Sequence, residues 1–147
     1  TDIVFPVLHG TFGEDGTIQG LFFFFELPYV GCGTMASSLT MDKEKTKQIW
    51  ESANLPVVPY ICARKFEAET EQDLSVLEEK SKNQFGYPVF IKPCCAGSSV
   101  GASKAANKEE FEKSVKEAFS WDDKILIEPF VKAREIECSV IGNEKQT

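Results

Sequence analysis

Two periods of hydrophobic and polar positions run through this chain. Residues 89–91, Val-Phe-Ile, and residues 125–127, Ile-Leu-Ile, are short unbroken apolar runs. Such runs, bounded by turn residues, predict strands buried on both faces. Residues 2–8 read the same way, with Pro6 marking an edge or a strand end. Residues 28–31 and 57–62 are further extended segments. Residues 135–141 alternate strictly: Ile136, Cys138 and Val140 stand against Glu135, Glu137 and Ser139. That pattern predicts a last strand with one wet face, followed by a hairpin turn over residues 142–145.

The longer period marks helices. Thr17 is placed to cap a short helix whose stripe is Ile18, Leu21, Phe22 and Phe25. Phe23 and Phe24 fall off that stripe and either face a second partner, such as another subunit, or are oddities of this sequence. Residues 35–39 read as a helical turn. Asp42 is a good N-cap for a helix over residues 43–53, stopped by Asn54 and Pro56. A helix from Asp73 or Ser75 to Phe85 turns Leu74, Val76 and Leu77 inward and ends at Gly86-Tyr87-Pro88. Asn107 and Glu110 form a capping box. The helix behind it buries Phe111, Val115, Ala118 and Phe119, and Trp121-Asp122-Asp123 is a turn. The order is α/β at first and helix-strand-strand afterwards, which predicts two domains joined near residues 31–41.

The chemistry concentrates after the strand at residue 89. Lys92 ends that strand, Pro93 has no N–H to donate, and Ala96-Gly97-Ser98-Ser99-Val100-Gly101 is small and flexible. Such a loop can bring several N–H groups and two hydroxyls to a phosphate. The plain alternative is a hairpin turn beside a solvated lysine. The spacing matches neither the Walker loop nor the dinucleotide fingerprint. Lys43, in the first turn of a helix, is poorly placed for a cation unless an anion lies nearby. His9 opens a glycine-rich loop at the end of the first strand, where open α/β sheets bind ligands; a structural role is the alternative.

Composition narrows the classes. The chain has 147 residues, suiting one domain or parts of two, and 42% of them are hydrophobic, enough for a core. A formal net charge of -7 argues against nucleic acid or an anionic membrane as the main partner. No run approaches the ~20 apolar residues of a membrane span, and no signal peptide is visible. Five cysteines without CxxC spacing predict free thiols in a reducing cytoplasm. One histidine and no ligand pairs argue against zinc. Both ends read as cut, so a longer parent protein is expected.

Five motifs occur in order: residues 9–17 (His-Gly-Thr-Phe-Gly-Glu-Asp-Gly-Thr), 28–33 (Pro-Tyr-Val-Gly-Cys-Gly), 41–43 (Met-Asp-Lys), 91–93 with 97–101 (Ile-Lys-Pro and Gly-Ser-Ser-Val-Gly), and Glu128 with 134–137 (Arg-Glu-Ile-Glu). Together, over essentially the whole chain, they resemble the D-alanine–D-alanine ligases of the ATP-grasp family. The resemblance implies an α/β and α+β ATP-grasp architecture. Residues 1–36 would end a parallel-sheet N-terminal substrate domain. Residues 37–147 would form the central ATP-binding domain, running into a truncated C-terminal part.

It further implies ATP-dependent joining of two D-alanines through an acyl phosphate, for peptidoglycan precursors. Lys43 and Lys92 are assigned to the ATP phosphates. Ser98, Ser99, Val100 and Gly101 form the flap over them, and Ser98 also orients the first D-alanine. Glu128, with the Phe130 and Val131 backbone, meets adenine, and Glu135 takes the ribose hydroxyls. His9 lies near the second substrate, with Glu14 in its hydrogen-bond network. ATP and Mg²⁺ (or Mn²⁺) are implied, with metal ligands expected beyond residue 147. The parent is expected to be a cytoplasmic homodimer and the piece alone inactive. The rival readings are a D-alanine–D-lactate ligase and a non-catalytic nucleotide-binding fragment; His9 leans towards the dipeptide enzyme. The run Phe22 to Phe25 and the pair Cys94-Cys95 are unusual for the family.

Overall fold

The computed structural model describes residues 2–142. The chain forms helices α1 (Thr17–Phe24), α2 (Thr34–Met41) and α3 (Lys43–Ser52), then strand β1 (Ile61–Arg64) and a 3-10 turn (Lys65–Ala68). Helix α4 (Glu71–Phe85), strands β2 (Val89–Pro93) and β3 (Ser103–Ala105), helix α5 (Lys108–Ala118) and strand β4 (Lys124–Pro129) follow.

The four strands make one antiparallel sheet in the order β1-β4-β2-β3. Strand alternation divides its side chains between two faces. Ile61, Ala63, Val89, Ile91, Ala105, Ile125 and Ile127 share one face and form the core with Leu74 and Leu77 of α4 and Phe111, Val115 and Ala118 of α5. Phe111, Val115 and Ile91 are fully buried. Each such side chain contributes roughly 1.5–3 kcal/mol of burial free energy. The opposite face carries Phe90, Lys92, Lys124, Leu126 and Glu128.

Capping chemistry sets the helix ends. The Asp42 carboxylate accepts from the N–H groups of Glu44 (3.0 Å) and Lys45 (3.2 Å). Asn107 caps α5, and Glu110 returns to the Ala106 N–H at 2.8 Å. Helix α4 begins at Glu71, earlier than the Asp73 or Ser75 expected. Thr70 and Asp73 form a reciprocal box there, fixing the start upstream of both. Val76 is 62% exposed rather than inward.

Other expectations are corrected. Residues 2–8 do not form a strand; Val4 alone makes a parallel bridge to Tyr29. Pro6 and Pro28 each lack a donor, and one bridge is all the segment makes among the described residues. Thr17 does not cap α1. Gly16 precedes the helix in the left-handed region, and the Asp15 carboxylate accepts from the Thr17 and Phe12 N–H groups. In the α1 stripe only Phe22 is buried and Ile18 half-buried; Leu21 and Phe25 are exposed. Gln19 is buried in their place, donating to the Gly13 carbonyl at 2.8 Å. Residues 135–141 carry the predicted alternation but form no strand, and they are exposed. The turn expected over residues 142–145 lies mostly outside the described residues. Strand β3 was not anticipated: three residues are too short to carry a period.

Candidate functional site

The polar face of the sheet is built by register. Phe90 pairs with Glu128 and Lys92 with Leu126, so Lys92 and Glu128 are diagonal neighbours on adjacent strands. The Lys92 Nζ donates to Glu128 Oε2 at 2.6 Å. Lys47 reaches the other oxygen: its Nζ lies 2.7 Å from Glu128 Oε1, close as an ion pair though outside hydrogen-bond geometry. The Lys47 ammonium also donates to the Val58 carbonyl at 2.8 Å. Glu128 is therefore an acceptor held between two lysine side chains.

Lys43 and Lys47 stand four apart on α3, hence on one helix face. The Lys43 Nζ donates to the carbonyls of Ala96 (2.6 Å) and Cys94 (3.2 Å). Burial, and then the Lys92 ammonium, draw the Lys43 pKa below the ordinary lysine value. Two like charges facing one cleft favour an anion between them.

Three adjoining hollows make that cleft. One of about 430 Å³ is lined by Lys43, Lys92, Phe90, Ala96 to Val100 and Glu135. A second, of about 240 Å³, is lined by Phe90, Glu128, Phe130, Val131 and Glu135. The third, of about 360 Å³, lies between Lys43, Lys47, Trp50, Lys92 and Glu128. Shared walls join them: Phe90 and Glu135, Lys43 and Lys92, then Glu128.

The loop over the cleft is backbone-rich. Ser98 and Ser99 are left-handed, with φ of 51° and 58°. Non-glycine residues there cost roughly 1–2 kcal/mol each, a cost that concentrates at functional sites. Gly101 has φ of 67°, and a Cβ on it would lie 2.6 Å from Trp121 Cδ1. Gly101 thus ends the loop against Trp121 and does not line the cleft's hollows.

On the loop's other side, a Cβ on Gly97 would lie 3.3 Å from Gly10 Cα. The His9 loop therefore abuts the glycine loop. Glu14 Oε2 accepts from the Gly10 N–H at 2.6 Å, and His9 itself is exposed. The structure thus gathers Lys43, Lys92, Ser98, Ser99, Val100, Glu128, Phe130, Val131 and Glu135 around one cleft. It sets His9 and Glu14 at its margin.

Sequence reasoning missed Lys47. The available signal was its i+4 spacing from Lys43. It also missed a buried charge cluster beneath the site. The Lys124 ammonium is bonded to Asp42 Oδ2 and donates to Glu44 Oε2 at 2.8 Å, with Arg64 3.5 Å from the same Glu44 oxygen. This cluster ties β4 to the start of α3, through the residues on either side of Lys43. A divalent cation does not fit the residues present. Glu128 is already engaged by lysines, and the described residues hold no cluster of three or more metal-ligating side chains.

An antiparallel sheet with two lysines and a glycine-serine loop over one face, entered from a helical segment, has the ATP-grasp architecture. The family profile "D-ala D-ala ligase C-terminus" matches residues 49–147, and "D-ala D-ala ligase N-terminus" matches residues 1–32. The D-alanine–D-alanine ligase of Treponema denticola is 52% identical over 145 residues, 99% of this chain and 39% of that protein. That of Acetivibrio thermocellus is 49% identical over 97% of this chain and 38% of its own length. The D-alanine–D-alanine ligase structure from Coxiella burnetii superposes with a TM-score of 0.87 at 37% identity, over 99% of this chain and 42% of that one. The D-Ala:D-Ser ligase of Enterococcus faecalis gives the same TM-score and identity, over 99% and 41%. The chain belongs to the D-alanine–D-alanine ligase family, and it spans about two fifths of the length of these relatives.

Proposed function

We propose that the protein of which this chain is part joins two D-alanines at the expense of ATP. The observation that carries the reading is the convergence of Lys43 and Lys92 on one cleft beneath the 96–101 loop. A triphosphate needs neutralising charge and backbone donors in one place, and this cleft offers both. Residues 1–36 would end the substrate domain and residues 37–147 belong to the ATP-binding domain.

The chemistry follows from the charges. A carboxylate oxygen of the first D-alanine attacks the γ-phosphorus, and ADP leaves. The amine of the second D-alanine attacks the acyl phosphate, loses a proton, and phosphate leaves as the peptide bond forms. No protein nucleophile is required; the chain positions and neutralises. Lys43 and Lys92 balance the phosphate charge. Ser98, Ser99, Val100 and Gly101 shield the acyl phosphate from water, and Ser98 holds the first D-alanine. Glu128, held as an acceptor, suits an exocyclic amino group such as that of adenine, beside the Phe130 and Val131 backbone. Glu135 takes the ribose hydroxyls. His9, set by the Glu14–Gly10 contact, serves the second substrate. Mg²⁺ would be held by the phosphates and by groups of the full-length protein beyond residue 147.

The exposed Phe23 and Phe24 of α1, with Phe25 directly after it, support a homodimer. The five cysteines are free and no described helix is long and apolar enough to cross a membrane, which supports a cytoplasmic site of action.

The test is a full-length assay with D-alanine, D-serine and D-lactate as second substrates. The expected result is one ADP and one phosphate per D-alanyl-D-alanine. Preference for D-serine, as in the E. faecalis neighbour's name, or for D-lactate would overturn the dipeptide reading. Nucleotide binding without product would leave the fragment-like reading. Gly101→Ala is expected to weaken ATP binding about tenfold, because its Cβ clashes with Trp121 in a backbone region worth ~1–2 kcal/mol. Isothermal titration of the full-length protein reads this directly.

A further inference from the structure

We infer that Asp122 is a positioning residue that sets the glycine loop and Lys43 for nucleotide binding. The inference rests on the reading that this loop covers the phosphates. The loop has little structure of its own. Its internal bonds are Val100 N–H to the Gly97 carbonyl (3.1 Å) and Ala102 N–H to the Ser99 carbonyl (3.2 Å). Small side chains give it no purchase on the core, so its geometry depends on how its ends are held.

Both ends are held by one turn. At the start, the Cys95 N–H donates to Asp122 Oδ2 at 2.6 Å, while Asp122 Oδ1 accepts from the Lys124 N–H at 3.1 Å. The Cys94 N–H donates to the Lys124 carbonyl at 2.9 Å. One carboxylate thus bridges Cys95, the residue just before the loop, and the first residue of β4. At the far end, Gly101 seats against the ring of Trp121, the residue beside Asp122.

The turn itself is anchored. The N–H groups of Trp121 and Asp122 both donate to the carbonyl of Ala118, at 3.1 and 3.2 Å, and Ala118 is fully buried in the core. A carboxylate just past a helix C-terminus faces the negative end of the dipole, so its place there is explained by the N–H groups it accepts.

The loop's start also orients Lys43. The Cys94 carbonyl accepts from both the Lys43 N–H (3.1 Å) and its Nζ (3.2 Å), and the Ala96 carbonyl takes the Nζ at 2.6 Å. Residues 94 to 96 therefore pass the position set by Asp122 directly to the phosphate-facing ammonium. Asp122 touches no cleft-lining hollow itself; it acts through Cys95.

Asp122→Asn keeps the size but leaves one acceptor oxygen for two N–H donors. In the full-length protein it is expected to raise the KM for ATP about tenfold, the effect of one charge-assisted hydrogen bond. The KM for D-alanine should move less than twofold, and amide exchange over residues 95–102 should accelerate with the melting temperature nearly unchanged. Asp122→Glu, which keeps both oxygens, should recover most of the ATP affinity. A fall in kcat with both KM values unchanged would mean a merely structural role and overturn the inference. So would unaltered KM for ATP and unaltered exchange in the Asn variant, provided a non-hydrolysable ATP analogue protects residues 95–102 in the unsubstituted protein. Absence of that protection in the unsubstituted protein would remove the phosphate reading of the loop, and this inference with it.

Discussion

Lys92→Ala in the full-length protein is expected to lower kcat/KM for ATP by two to three orders of magnitude. Lys92 sits on β2 with its side chain 23% exposed and its ammonium facing the same hollow as Lys43. Removing one side of a desolvated charge pair costs ~2–5 kcal/mol, because the partner stays behind unpaired. In the proposed function the partner is a phosphate group. Glu128 loses its 2.6 Å bond as well and keeps only the Lys47 contact. The core face of β2 is untouched, so secondary structure should be unchanged by circular dichroism. ATP kinetics within threefold of the unsubstituted protein would remove Lys92 from the site.

Lys124→Met should destabilise the protein by ~3–5 kcal/mol, the usual cost of leaving a buried carboxylate, here Glu44, without its cation. Asp42 and Glu44 both face the Lys124 ammonium, which is buried. Burial alone would raise both carboxylate pKa values. The hydrogen bonds from Lys124, with backbone N–H groups at Asp42, outweigh it and hold both below their ordinary values of 3.8 and 4.5. Burial would likewise lower the Lys124 value, but its two carboxylate bonds lift it above the ordinary 10.5.

The signs fix the pH window. Depressed carboxylates give stability that is complete above about pH 4.5 and lost as pH falls through their folded values. A raised lysine gives stability that is complete below 10.5 and lost as pH rises through its folded value. Urea midpoints across pH should show a plateau between these limits, with falling limbs on both sides. In the methionine variant the plateau is lower and the alkaline limb is flatter. Equal midpoints for the two proteins at pH 7 would show that the cluster contributes nothing net.

What could be read from the sequence follows from which forces are local. Caps act within four residues, so Asp42 and Asn107 marked α3 and α5 before any tertiary contact was known. The apolar runs of β2 and β4 were equally plain, because β4 is covered on both faces and β2 is buried on one and half-buried on the other. Strand order was hidden: β4 inserts between β1 and β2, a pairing across more than 30 residues that no local pattern encodes. Lys47 and Lys124 were hidden for a related reason. A lysine looks solvated until the fold supplies the carboxylates that bury it, here Glu128, Asp42 and Glu44. Residues 135–141 misled in the opposite direction. Their alternation is a strand pattern, yet a ladder requires a neighbour as well as a period. At the site, Lys92 and the glycine loop were legible because they adjoin in sequence. The convergence of Lys43 on the same cleft depends on the carbonyls of Cys94 and Ala96, 51 and 53 residues away.

The most direct test of the account follows the oxygen atoms. The full-length protein is supplied with ATP and D-alanine carrying ¹⁸O in its carboxylate, and the released phosphate is analysed by mass. The account predicts one labelled oxygen in the phosphate for each D-alanyl-D-alanine formed, since that oxygen bridges carbon and phosphorus in the acyl phosphate. Dipeptide formed at the same rate with unlabelled phosphate would contradict it.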